Sequence, residues 1–213
     1  MFWQKIQNFY FKILFKMVGP HRAAELMRSK FYYLGRNVQL YSCSIPEPYL
    51  VSIHDNVICA ANVRFITHDV SCFNIARYLG ISLSEVDKVG SIELFENCFV
   101  GAYSILLPNT SVGANSIVAA GSIVTRHIPA GEVWGGVPAK FIMTTDEYAK
   151  KVIKNCHNYP WMGKRCNNRD LIKMRQQYFS FKNRHKAQRK AKFYINKCRS
   201  ASCMQSGWKR TSA

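Results

Sequence analysis

Acid is what this sequence is short of. Twelve Asp and Glu stand against thirty Lys and Arg in 213 residues, for a formal net charge of +18. The deficit is local: from Lys150 onward eighteen Lys/Arg face Asp170 alone, so seventeen of those charges lie there. The chain before Lys150 is close to neutral. CxxC pairs and other metal-ligand spacings are absent among the eight cysteines, which argues against a zinc module or a disulfide framework. Scattered, reduced thiols of a cytosolic protein are the expectation, with no metal. Nor does any run reach the roughly 20 apolar residues that cross a membrane. A signal peptide is not expected either, because Lys12 and Lys16 interrupt the first apolar stretch and no small-residue cleavage site follows.

What is present is a beat of six. From Leu94 to Pro129 the chain reads LFENCF, VGAYSI, LLPNTS, VGANSI, VAAGSI, VTRHIP. The first place is always aliphatic (Leu94, Val100, Leu106, Val112, Val118, Val124), and the fifth is small in all units but the last (Cys98, Ser104, Thr110, Ser116, Ser122). An α-helix cannot keep a period of six on one face. Short strands joined by regular corners can, since three units close one coil and return each aliphatic side chain to the same interior stack. Asn97, Asn109, Asn115 and Gly121 at the fourth place are residues that tolerate left-handed dihedrals at a tight corner. The pattern predicts a β-solenoid.

The beat also runs earlier, as IHDNVI, CAANVR and FITHDV, with Ile53, Cys59 and Phe65 inward and Asn56, Asn62 and His68 at the corner. The two frames do not match, so an insertion is expected at about residues 69–91, and His68 stands at its root. Long interruptions of a regular coil are usually functional. His68 has a plainer reading as a corner residue chosen for backbone tolerance.

The ends are of another kind. Met1 to Val18 has helical organisation, with Lys5, Lys12 and Lys16 in one sector and Trp3, Ile6, Phe9, Tyr10, Ile13 and Met17 on a broad apolar face. Either it lies in an anionic membrane interface or it packs on protein. A helix is expected from about Asp146, capped by Thr145 or Asp146. The basic stretch beyond Ser180 is read as a solvated or membrane-surface face, since no nucleic-acid module accompanies it. The division expected is an N-terminal amphipathic segment (1–35), a coil domain (36–142) and a basic, partly helical extension (143–213).

The repeats, the segment EPYLVSIHDNVICAANVRFITHD and the terminator VTRHIPAGEVWGGVPAKFI together resemble the hexapeptide-repeat acyltransferases, specifically maltose/nodulation-type sugar O-acetyltransferases and capsular-polysaccharide acetyltransferases. The resemblance covers about residues 44–147. It implies an all-β core wound as a left-handed parallel β-helix, a homotrimer, and acetyl-CoA in the groove between neighbouring helices. The acceptor would be a sugar hydroxyl of a capsular or lipopolysaccharide precursor, in the cytoplasm and peripheral to its membrane. N-acetylation of an amino sugar or small amine, or a silent scaffold, are the competing readings.

The same resemblance matches His68, in FITHDVS, to the family's general base, since a neutral imidazole accepts a proton near pH 7. It puts Asp69 and Glu47 at acceptor-side or base-orienting positions, against a loop cap for Asp69 and a simple turn before Pro48 for Glu47. For the cosubstrate it implies Ala102, Ala120, Thr125, Arg126 and Lys140, the alanines by close backbone approach and the basic residues by phosphate charge. Trp134 would flank adenine or pack at a subunit edge. His54 and His127 are expected at the surface.

Overall fold

The computed structural model describes residues 18–157, 159–163 and 167–180. The helix expected over Met1 to Val18 lies almost wholly outside these residues, as does the stretch beyond Ser180. The chain divides into two compact units, residues 1–151 and 152–213.

In the first unit the strands form three sheets. One holds β1 (Tyr33–Leu34), β3 (Val51–Ile53), β6 (Ile92–Leu94) and β9 (Thr110–Val112). The second holds β2 (Gln39–Leu40), β4 (Ile58–Cys59), β7 (Phe99–Val100), β10 (Ile117–Val118), β12 (Glu132–Gly135) and β13 (Lys140–Thr144). The third holds β5 (Arg64–Phe65), β8 (Ile105–Leu106) and β11 (Ile123–Val124). From β3 to β11 successive strands pass through the three sheets in turn. Among these named strands every pairing is parallel except β12 with β13, whose antiparallel return ends the parallel order.

The register carries the sequence period directly. Leu94 pairs with Val112, 18 residues on, and three units of six make one coil. Ile53 pairs with Leu94, 41 residues on, which is one coil plus the 23 residues of 69–91. The first-place residues Leu94, Val100, Leu106, Val112, Val118 and Val124 are buried, as are the fifth-place ones from Cys98 to Ser122. The buried hydroxyls are satisfied: Ser116 Oγ donates to the Pro129 carbonyl at 2.6 Å and Ser122 Oγ to that of Ala119 at 2.6 Å.

At the corner after the first sheet, Asn37, Asn56, Asn97 and Asn115 all have φ between 56° and 61°. Their side-chain amides bond coil to coil at 3.0, 3.1 and 3.3 Å. Asparagine thus serves twice, as a residue that accepts left-handed dihedrals and as a rung of the ladder. Gly101 meets a different demand. A Cβ there would stand 2.4 Å from the Ala120 amide nitrogen, so only glycine lets these coils approach.

Three expectations need correction. The coil begins before residue 36: Leu34, Val38 and Leu40 are buried, β1 pairs Leu34 with Ile53, and YLGRNVQL carries the beat unrecognised. His68 and His127 occupy fourth places but neither has a positive φ, whereas Tyr103 does, at 61°. The coil pattern lapses at both histidines, because His68 turns into the insertion and forms an antiparallel bridge with Val89, while His127 leads into Pro129. Helix Thr145–Cys156 is capped one residue earlier than expected, by Thr144. Its Oγ1 accepts from the Glu147 N–H at 3.2 Å and Glu147 Oε2 accepts from the Thr144 N–H at 2.9 Å.

Helix α1 (Pro20–Leu26) closes the early end of the stack. Its buried Ala24, with Met27, joins Leu34, Val38 and Leu40 in the core. In the second unit, residues 168–180 are helical, opened by Asn167, whose Oδ1 accepts from the Asp170 N–H at 2.9 Å. Tyr159 stacks on Trp161 with centroids 4.8 Å apart, and Tyr178 meets both edge-on. Among the described residues no helix is long and apolar enough to cross a membrane.

Candidate functional site

Phe65, fully buried in β5, anchors the strand that delivers Ile66, Thr67 and His68 to the corner after the third sheet. Here the chain leaves the coil. It enters helix α2 (Cys72–Leu79), ended by Gly80 with φ 66°, and passes through a 3-10 turn, Leu83–Glu85, held by a Ser82/Glu85 capping box. It comes back antiparallel to the strand it left. The Asp69 N–H bonds the Lys88 carbonyl and the Gly90 N–H bonds that of Thr67, both at 2.8 Å. A Cβ on Gly90 would lie 2.4 Å from Asn109 Oδ1, so the returning backbone is pressed onto the next coil.

That return sets Asp87 against the His68 imidazole, whose other nitrogen faces Glu47 from the turn before β3. His68 Nε2 lies 3.2 Å from Asp87 Oδ1, and Nδ1 lies 3.6 Å from Glu47 Oε1. Both are ion-pair contacts, charged only when the imidazole is protonated, and neither has the geometry of a hydrogen bond. Glu47 is itself held, accepting from the buried Thr67 hydroxyl at 2.7 Å and from the Tyr49 hydroxyl at 3.2 Å. The Glu47 charge in turn raises the Tyr49 phenol above its ordinary value. His68 remains 39% exposed, open enough for a reactant to reach.

Asp69 has other partners. Its carboxylate takes Lys88 Nζ and the Ser71 N–H, at 3.0 Å for the latter, and these donors hold its carboxyl down to about 2. That is a loop-capping arrangement. The residue the sequence reading missed is Asp87, which no periodicity marks because it belongs to the insertion.

The positions matched to the cosubstrate fall on two edges of the third sheet. Thr125 and Arg126 follow β11, on the corner of His68 and two strand steps along, roughly 10 Å at the usual strand spacing. Ala102 and Ala120 stack on the opposite corner, where the Gly121 N–H bonds the Ala102 carbonyl at 2.8 Å. Lys140 opens β13 and is exposed. One chain therefore does not gather them around His68.

Trp134 is packed against the core of its own chain, with Nε1 donating to Glu132 Oε2 at 2.6 Å. His127 is exposed, as expected, with Nδ1 2.6 Å from Ser111 Oγ. His54 is not simply a surface residue. It is half-buried, stacked on Phe95 at 5.1 Å and tilted against Tyr33, and its Nε2 lies 2.8 Å from Glu93 Oε1. The flanking coils supply those aromatic neighbours, 20 residues or more away in sequence.

A coil of six-residue units with a histidine and two carboxylates at its one long interruption defines a class. Residues 91–126 match the family model described as bacterial transferase hexapeptide (six repeats). Protein CapG of Staphylococcus aureus is 36% identical over 148 residues, covering 68% of this chain and 84% of CapG. The chain belongs to the hexapeptide-repeat transferase family and is an acyltransferase. The galactoside O-acetyltransferase of Escherichia coli (strain K12) is 31% identical over 119 residues, 55% of this chain and 56% of that enzyme. The solved maltose O-acetyltransferase of Clostridium difficile 630 superposes with a TM-score of 0.46 at 20% identity, over 66% of this chain and 87% of its own, a likeness too loose for residue-level comparison.

Proposed function

We propose that this chain transfers an acetyl group from acetyl-CoA to a sugar hydroxyl of a capsular or lipopolysaccharide precursor, with His68 as general base. The observation that carries the reading is the imidazole flanked by Glu47 and Asp87 at the break in the coil. The acceptor O–H loses its proton to an imidazole nitrogen while its oxygen attacks the thioester carbonyl. The new C–O bond forms, the tetrahedral intermediate collapses with cleavage of the C–S bond, and the departing thiolate takes the proton back from the imidazolium. Glu47, facing the other ring nitrogen, stabilises the transient imidazolium charge. Backbone N–H groups stabilise the oxyanion. Because Asp87 stands at Nε2 in this structure, an acceptor reaching that nitrogen displaces the carboxylate or lies beside it.

In this reading the three-sheet stack is a left-handed parallel β-helix, and three copies assemble. Assembly brings the Ala102/Ala120 edge of one copy toward the His68 corner of the next, with Thr125, Arg126 and Lys140 serving the CoA phosphates. The basic extension and the N-terminal segment give the trimer a peripheral hold on anionic membrane. Vesicle sedimentation with and without residues 1–18 and 181–213 tests that hold, and equal partitioning rejects it. The chemistry is tested by acetyl-CoA turnover against nucleotide sugars, free sugars, lipid-linked oligosaccharides and amino sugars. His68→Ala should lose on the order of 10²-fold or more in transfer while keeping trimer and CoA binding. Near wild-type turnover sinks the base assignment, and turnover with amines alone replaces O- by N-acetylation.

A further inference from the structure

Helix α2 begins four residues after His68, and its first residue is Cys72, a thiol 3% exposed for which the transfer chemistry has no use. A nitrogen of His68, the Cys72 sulfur and an oxygen of Asp87 all lie within 4.8 Å of one another. The histidine–carboxylate pair is already at 3.2 Å. We infer that His68, Cys72 and Asp87 form a site for a borderline-soft divalent transition ion, Zn²⁺ above all, and that the bound ion silences the enzyme by occupying its base.

The donor set fits the ion. Nitrogen, thiolate sulfur and carboxylate oxygen are the three ligand types zinc takes, and three protein ligands with a fourth position left to water is a familiar zinc arrangement. Tetrahedral coordination at ordinary zinc bond lengths puts donors roughly 3.5 Å apart, so His68 and Asp87, at 3.2 Å, are near that spacing, and the sulfur, within 4.8 Å of both, must close by no more than about 1.3 Å. The two side chains that would adjust, His68 and Asp87, are exposed, and the paired backbones of 67–69 and 88–90 already hold their two arms together. Binding releases the thiol proton to solvent and leaves the imidazole lone pair on the metal. A metal-bound His68 takes no proton from an acceptor, so capture and transfer exclude each other. The insertion would then do two jobs, shaping the acceptor side and making transfer sensitive to free zinc. The inhibitory consequence rests on the base assignment above, whereas the site itself does not.

The test separates them. The full-length chain is titrated with Zn²⁺ against a chromophoric chelator, and with Co²⁺ while the thiolate-to-cobalt absorption band is recorded. Cys72→Ser and Asp87→Asn serve as variants; Asp87 is exposed, so its replacement leaves the fold intact even if the change at Cys72 does not. Binding should be at least about 10-fold weaker in either variant, and the cobalt band should vanish in Cys72→Ser. Unchanged zinc affinity and an unchanged cobalt band in both variants overturn the site and assign the ion to other thiols of the chain. Acetyl transfer should fall as zinc fills the site and recover on adding EDTA. Variant-sensitive zinc binding with undiminished transfer keeps the site and overturns the inhibition, together with His68 as base.

Discussion

The coils from Leu94 to Pro129 and the 23 residues inserted before them bury their side chains in opposite ways. In the coils every first-place aliphatic is inside, whereas in the insertion Val70, Phe73 and Tyr78 are 67%, 53% and 88% exposed and only Cys72, Ala76 and Gly90 are buried. One region is stabilised by a shared interior stack. The other is held by its two paired ends and by polar contacts such as Asp69 with Lys88. Stability thus resides in the coil, and the chemistry proposed above sits at the point where the coil is broken.

The comparison can be broken most sharply by equal cuts in the two regions. Phe65→Ala should cost about 3–5 kcal/mol of unfolding free energy in urea titration, since a fully buried ring leaves a cavity at the centre of the stack. Phe73→Ala in the insertion should stay within about 0.5 kcal/mol; a much larger loss would mean that another copy of the chain covers this face. On activity the ranking reverses. The His68→Ala loss of about 10²-fold corresponds to about 2.7 kcal/mol of barrier, while His127→Ala at the equivalent corner two coils on should leave transfer unchanged.

Thr67→Val probes the seam between the regions. It removes the hydroxyl that holds Glu47, so stability should fall by about 1.5 kcal/mol and turnover with it. Loss of stability with turnover intact would confine Glu47 to a structural role. The smallest effect expected is with acid. The Asp69 carboxyl is held at about 2, below its ordinary 3.8, so its contact with Lys88 is fully present above about pH 4 and is lost as pH falls through about 2. Amide exchange at Asp69, Ser71 and Gly90 should quicken over that window before the coil amides respond. Simultaneous exchange throughout would show that the insertion does not open separately.

Much of this was legible because a period of six leaves so little freedom. It located the interior stack, the asparagine corners and the size of the interruption, and motif resemblance added His68. The first coil was passed over because one extra residue separates its strands from those that follow: Leu34 pairs with Ile53 at a spacing of 19 rather than 18. Helix α2 went unread because eight residues with no side-chain N-cap give periodicity little to work on. The environments of His54 and Asp87 depend on partners that only the stacked coils and the returning loop bring near.

By itself, then, the sequence determined the coil, because an inward aliphatic every six residues leaves one economical way to bury them. It also marked where the coil stops. Only the tertiary structure decided what surrounds His68, because Glu47 comes from the turn before β3 and Cys72 and Asp87 from the two ends of the insertion, and their meeting depends on backbone pairing across it. It likewise placed Ala102 and Ala120 on one edge of the third sheet and His68 on the other, since the order in which the chain turns its corners fixes which residues share an edge.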